Sequence, residues 1–88
     1  MRNYKDPLYK KWLKNIKIRD KHTCQWPNCG CTKKIQAHHI LPWSQYPGLR
    51  FDLNNGICLC KKHHDFIKND ETSYASFFLR LLYNKRNK

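Results

Sequence analysis

Two short ligand pairs restrict this chain more than any other feature. Cys24-x4-Cys29 and Cys60-x2-His63 stand about thirty residues apart in a chain of 88. Ligands spaced two to four residues apart can reach one ion, and zinc takes four soft or borderline ligands in a tetrahedron. An ion on Cys24, Cys29, Cys60 and His63 would tie the loop around Cys24 to the start of a helix near Lys61. Cys31 is the alternative to Cys29 as the second ligand, with Cys29 preferred. Cys58 sits in an apolar run and reads as a small buried hydrophobe.

Size explains the need for such a staple. A chain of 88 residues buries roughly 60–65% of its unfolded surface, so its core alone is marginal. It is expected to form one domain over residues 1–88. Its cysteines number five, an odd count, and no apolar leader precedes them, which argues against a disulfide framework. Metal-bound thiolates in a reducing cytoplasm are the expectation instead. No stretch approaches the ~20 apolar residues of a membrane span.

In order along the chain, residues 1–5 are polar and read as a frayed end. Asp6-Pro7 is a helix start, with Asp at the N-cap and Pro at the first helical position. Leu8, Trp12 and Ile16 recur every fourth residue, with Tyr9 and Leu13 beside them, and predict a helix to about Arg19. Residues 23–34 read as a loop, broken by Pro27, Asn28 and Gly30. Residues 33–40 read as a short strand with Ile35, Ala37 and His39 on one face. Residues 41–56 form a long connection, of a length often functional in a compact domain. Within it, Asn55-Gly56 reads as a turn that tolerates positive φ. Ile57-Cys58-Leu59 predicts a second strand, followed by a helix containing His63, His64, Phe66 and Ile67. A last helix is expected from Thr72 or Ser73, with Ala75, Phe78, Leu81 and Leu82 as its apolar face. The basic tail 84–88 reads as mobile.

Of the four histidines outside the zinc set, three fall within or beside the two expected strands and the following helix: His38, His39 and His64. Successive strand residues face opposite ways, so His38 and His39 are expected to do different work. A helix packed on two strands can bring His64 opposite His38. Two imidazoles then make a partial site for a divalent ion, completed by water and a substrate phosphate. His39, on the other face, can accept a proton near neutral pH and is placed to activate water.

The balance of 18 Lys and Arg against 6 Asp and Glu gives a net charge of +12. The natural partner of such a chain is a polyanion, nucleic acid first. Trp43 and Arg50, in the long connection, are candidate nucleic-acid contacts. A zinc-stabilised nucleic-acid-binding module without chemistry is the alternative reading, although it leaves the three further histidines without a role.

The run Cys24…Cys29, His38-His39-Ile40-Leu41-Pro42-Trp43, Arg50-Phe51-Asp52, Asn55-Gly56-Ile57 and Leu59-Cys60-x-x-His63-His64 resembles the HNH endonuclease family, across residues 19–67. The resemblance implies an α+β fold: a small zinc-stabilised ββα-metal core flanked by N-terminal and C-terminal helices. It implies a metal-dependent DNA endonuclease that hydrolyses phosphodiester bonds with one catalytic ion, Mg²⁺, Mn²⁺ or another divalent. His39 matches the family's general base. His38 and His64 match its catalytic-metal ligands, where many members have Asp in place of His38. Asn55 matches the central Asn, whose role in the family varies between holding the loop and touching the metal. Cys24, Cys29, Cys60 and His63 match the zinc positions, where many members have Cys in place of His63. DNA read with little sequence specificity is the implied partner, in the cytoplasm of a bacterial or phage-infected cell. Small phage members often work beside a DNA-packaging terminase and others in restriction; the residues favour neither.

Overall fold

The computed structural model describes residues 6–86. The frayed end expected at 1–5 and the last two residues of the basic tail lie outside that range. Helix α1 spans Pro7–Arg19; Asp6 caps it by accepting from the Leu8 N–H at 2.9 Å, and Lys17 and Arg19 sit in the last turn. Basic side chains there oppose the partial negative charge of the helix C-terminus. The buried face is Tyr9, Trp12 and Ile16, while Leu8 is 57% exposed. Trp12 and Ile16 are buried as expected, and only the first position differs, with Tyr9 inside in place of Leu8. Tyr9 wins the inner place because its ring meets Trp43 edge-on at 5.7 Å.

Strands β1 (Ile35–His39) and β2 (Gly56–Cys60) pair antiparallel, with Ala37 opposite Cys58, His38 opposite Ile57 and His39 opposite Gly56. β1 starts later than expected because Lys34 has φ +53, outside any strand geometry. Every residue of β2 is buried, since both sheet faces are covered. On one face Cys58 packs with Tyr9, Trp12 and Ile16 of α1, and half-buried Ile35 and Ala37 join them. On the other face Ile57 and Leu59 pack with Ile40, Ile67, Phe78 and Leu82. Each such side chain contributes about 1.5–3 kcal/mol on burial.

The long connection is not irregular throughout. It holds one-turn 3-10 helices at Pro47–Leu49 and Leu53–Asn55. Asn55-Gly56 is not a positive-φ turn: Gly56 has φ −144 and ψ 150 and opens β2. Its glycine answers a different need, since a Cβ there would meet Trp12 Cζ2 at 2.5 Å and Ile16 Cδ1 at 2.7 Å. Helix α2 (Lys61–Phe66) follows β2 directly and ends with Ile67 as its cap. Asn69 at φ +71 then turns the chain. A 3-10 turn, Glu71–Tyr74, precedes α3 (Ala75–Arg86), so the last helix starts after the expected Thr72 or Ser73. Ser73 Oγ–H donates to Asp70 and the Asn69 N–H to Glu71, local bonds that hold this stretch out of the helix. The expected mobile tail is helical through Arg86. Among the described residues no helix is long and apolar enough to cross a membrane.

Candidate metal centre and active site

The loop before β1 brings Cys24 and Cys29 to the β2–α2 junction. Asn28 and Gly30, both at φ +66, fold it back on itself. The Cys29 N–H donates to Trp26 O at 3.0 Å and the Cys24 N–H to Cys31 O at 2.7 Å. Ligand atoms of Cys24, Cys29, Cys60 and His63 all lie within 4.8 Å of one another. Cys29 Sγ stands 3.9 Å from Cys60 Sγ, and His63 Nδ1 stands 3.6 Å from Cys24 Sγ and 3.4 Å from Cys60 Sγ. A tetrahedron with Zn–S near 2.3 Å and Zn–N near 2.05 Å has S···S edges of about 3.8 Å and S···N edges of about 3.6 Å. The cluster is compatible with zinc. Cys31 is outside it, its thiol directed to Lys33 O at 3.7 Å.

The thiols differ in acidity. Burial pushes Cys24 up to about 11. Burial also acts to raise Cys60, but hydrogen bonds from the His63 backbone and ring and from Cys24 and Cys29 outweigh it and bring the thiol down to about 6. A thiolate at Cys60 is the form a cation takes. Cys58, fully buried and beside the Asp20 carboxylate, is pushed up to about 12 and stays a neutral core thiol.

A second site lies on the same short sheet. A cleft of about 640 Å³ is lined by His38, His39 and His64, with Trp43, Glu71 and Thr72 among its other walls. The His38 and His64 rings stand 5.6 Å apart between centroids at 79°. His38 comes from the sheet face shared with Ile57, and Phe78 of α3 lies against its ring at 5.7 Å. His39 comes from the opposite face. Its Nε2 lies 2.8 Å from Arg50 O. A carbonyl can only accept, so the neutral ring carries its proton on Nε2 and its basic lone pair on Nδ1.

Asn55 and Arg50 are not among the residues lining the cleft. Asn55 is buried, and its carboxamide accepts from the Leu41 N–H at 2.7 Å and donates to Leu41 O at 3.2 Å and Leu49 O at 3.1 Å. Its part is to clamp the long connection across the two strands. Arg50 donates from Nε to Trp43 O at 2.8 Å and lays its guanidinium over the Trp43 ring at 4.7 Å. Trp43 lines the cleft, and Arg50 backs it from outside.

The family model described as HNH endonuclease matches residues 24–69, just over half of the chain. The chain belongs to the HNH endonuclease family. Comparison with curated proteins and with solved structures gives no match. The matched stretch holds all four residues of the Cys/His cluster and all three cleft histidines of this HNH protein.

Three features of the HNH core escaped the sequence reading. Trp26, inside the metal loop, stacks on His63 at 4.6 Å and 7°, and Phe66, Phe77 and Phe78 meet it edge-on. An aromatic residue between two ligands was the available signal. Arg19 and Asp20 form a clamp: Asp20 accepts from Arg19 Nε and Nη2 at 2.8 Å each and from the Cys58 N–H at 3.0 Å, while Arg19 also donates to Leu53 O and Gly56 O. Nothing in an Arg-Asp pair at a helix end announces such bonds. Glu71 reaches the cleft wall only because the 3-10 turn carries it there.

Proposed function

We propose that this chain is a metal-dependent endonuclease that hydrolyses phosphodiester bonds in DNA, working as one nuclease domain. The observation that carries the reading is the convergence of His38, His39 and His64 on one cleft, with His39 held by a backbone carbonyl in the tautomer a general base needs.

His39 Nδ1 takes the proton of a water molecule as the water oxygen bonds to phosphorus. The bond from phosphorus to the leaving sugar oxygen breaks, and that oxygen takes a proton from solvent. The Arg50 carbonyl holds the imidazole through Nε2 and steadies the imidazolium that forms. His38 and His64 are the residues that would hold a catalytic Mg²⁺, Mn²⁺ or related ion; two imidazoles at the wall of an open cleft suit a cation that keeps further positions for water and phosphate. Such an ion, when bound, stabilises charge on the phosphate and on the leaving oxygen. Cys24, Cys29, Cys60 and His63 would hold a structural zinc. Trp43 in the cleft wall and Arg50 against its ring would contact the DNA backbone. The resemblance alone suggests a cytoplasmic setting and a phage terminase as a partner to test.

The test is nicking of supercoiled plasmid with Mg²⁺ or Mn²⁺, by the parent and by His39→Ala. The parent should convert plasmid to nicked or linear form. The variant should be slower by about 10²–10⁴-fold, the usual worth of a positioned base. A variant that cuts as fast as its parent removes His39 from the role.

A further inference from the structure

His39 is gripped from outside its own strand on two sides. Its edge is fixed by the Nε2 bond to Arg50 O at 2.8 Å. Its face lies flat on Trp12, with 3.9 Å between ring centroids and 7° between planes. The indole is itself immobile: Trp12 is 2% exposed, and its Nε1–H donates to Asp52 O at 2.9 Å. Two carbonyls two residues apart in one loop therefore hold two stacked rings in register. Gly56 stands opposite His39 in the sheet. A Cβ there would come within 2.5 Å of Trp12 Cζ2, and its φ of −144 is one any residue adopts. The glycine is thus there for space, and the indole fills the place of a side chain facing His39. Trp12 lies in α1, outside the matched residues 24–69.

We propose that Trp12 is a positioning residue for His39, seated in a slot that Gly56 leaves open. The inference rests on the reading of His39 as the base. A planar wall at stacking distance stops the imidazole from tilting, so Nε2 stays on the Arg50 carbonyl and Nδ1 keeps one direction. The Trp12 Nε1 bond also pins the loop that carries that carbonyl. An error of about 1 Å in the placement of a reacting group can cost about 10²-fold in rate.

A buried Trp is also simply core, so the test must separate the two roles. Trp12→Leu and Trp12→Phe are made in the parent and in the His39→Ala background, and the histidine ring protons are followed by NMR in the absence of DNA. In the parent, the His39 ring protons should be shifted upfield by the indole. Trp12→Leu should remove most of that shift, leaving the smaller contributions of Trp43 at 5.4 Å and Tyr9 at 6.3 Å, and should leave the shift of His63, under Trp26, in place. In plasmid nicking, kcat should fall about 30–100-fold in Trp12→Leu and about 3–10-fold in Trp12→Phe, with KM for DNA steady in both. Both losses should vanish in the His39→Ala background, as they must if Trp12 acts through His39. Should Trp12→Leu lose zinc or its folded spectrum, Trp12→Phe decides alone by the same criteria. An unshifted His39 in the parent overturns the proposal. So does an unchanged kcat in a folded variant, or an equal loss with and without His39. If His39→Ala itself cuts at the parent's rate, the reading of the base has failed instead, whatever Trp12 does.

Discussion

Cys29 and Cys31 are two residues apart and carry the same thiol, yet only Cys29 lies in the Cys/His cluster. Cys31 faces Lys33 O instead. Spacing alone left the choice open, because the two stand five and seven residues from Cys24; the left-handed turns at Asn28 and Gly30 decide it. Cys29→Ser should therefore lose the zinc and Cys31→Ser should keep one per chain, measured by elemental analysis after gel filtration. Equal zinc in the two variants would show that the loop offers either thiol. His38 and His64 were legible as a pair because a strand and a following helix have fixed side-chain directions. For Asn55 the resemblance offered a loop-holding role as one of two, and its bonds to Leu41 and Leu49 fit that role. Gly56 was legible as special but not in kind, since its missing side chain makes room for a residue forty-four positions away in sequence, Trp12. No local rule connects such partners.

Helix α1 could be read from its caps and period, which are local properties. Its connection to β2 could not. The buried Asp20 carboxylate takes both nitrogens of Arg19 and the Cys58 N–H, and Arg19 continues to Leu53 O and Gly56 O. One helix end thus fixes the start and the middle of the central strand, and through it the strand partner of His39. Removing the Asp20 carboxylate leaves the buried Cys58 N–H without its acceptor and a partly exposed Arg19 without its ion pair, at a cost of about 1–3 kcal/mol. Asp20→Ala should lower the unfolding free energy measured in urea by that amount. Asp20→Asn, which keeps an acceptor for the Cys58 N–H, should lose less. Equal, small losses would mean that apolar packing of Tyr9, Trp12 and Ile16 suffices to seat α1. The 3-10 turns of the connection and the delayed start of α3 were not legible for a related reason. They depend on side-chain bonds such as Ser73 to Asp70 that compete with the helix by small margins.

At the scale of the whole molecule, the Cys/His cluster and the net charge carry the predictions. Two small apolar clusters flank a two-stranded sheet, and a protein this size has little stability to spare. Zinc binding is worth about 10 kcal/mol or more in small domains, enough to decide whether the chain folds. Stripping zinc with a chelator should abolish the near-ultraviolet dichroism of the aromatic group around Trp26, and adding zinc should restore it; a signal that survives would make the apolar clusters self-sufficient. In the proposed function, charge governs the encounter with DNA. A net charge of +12 attracts phosphate at long range, and each phosphate neutralised releases counterions. Measured with His39→Ala, so that binding is not confused with cutting, log affinity should fall linearly with log salt. Four or five phosphate contacts give a slope between about −3.5 and −4.5. If Trp43 and Arg50 meet DNA as proposed, the slope should be nearly the same on unrelated sequences, because the Arg50 guanidinium is already engaged with the Trp43 ring and carbonyl. A flat salt response would mean that the positive charge serves something other than a nucleic acid.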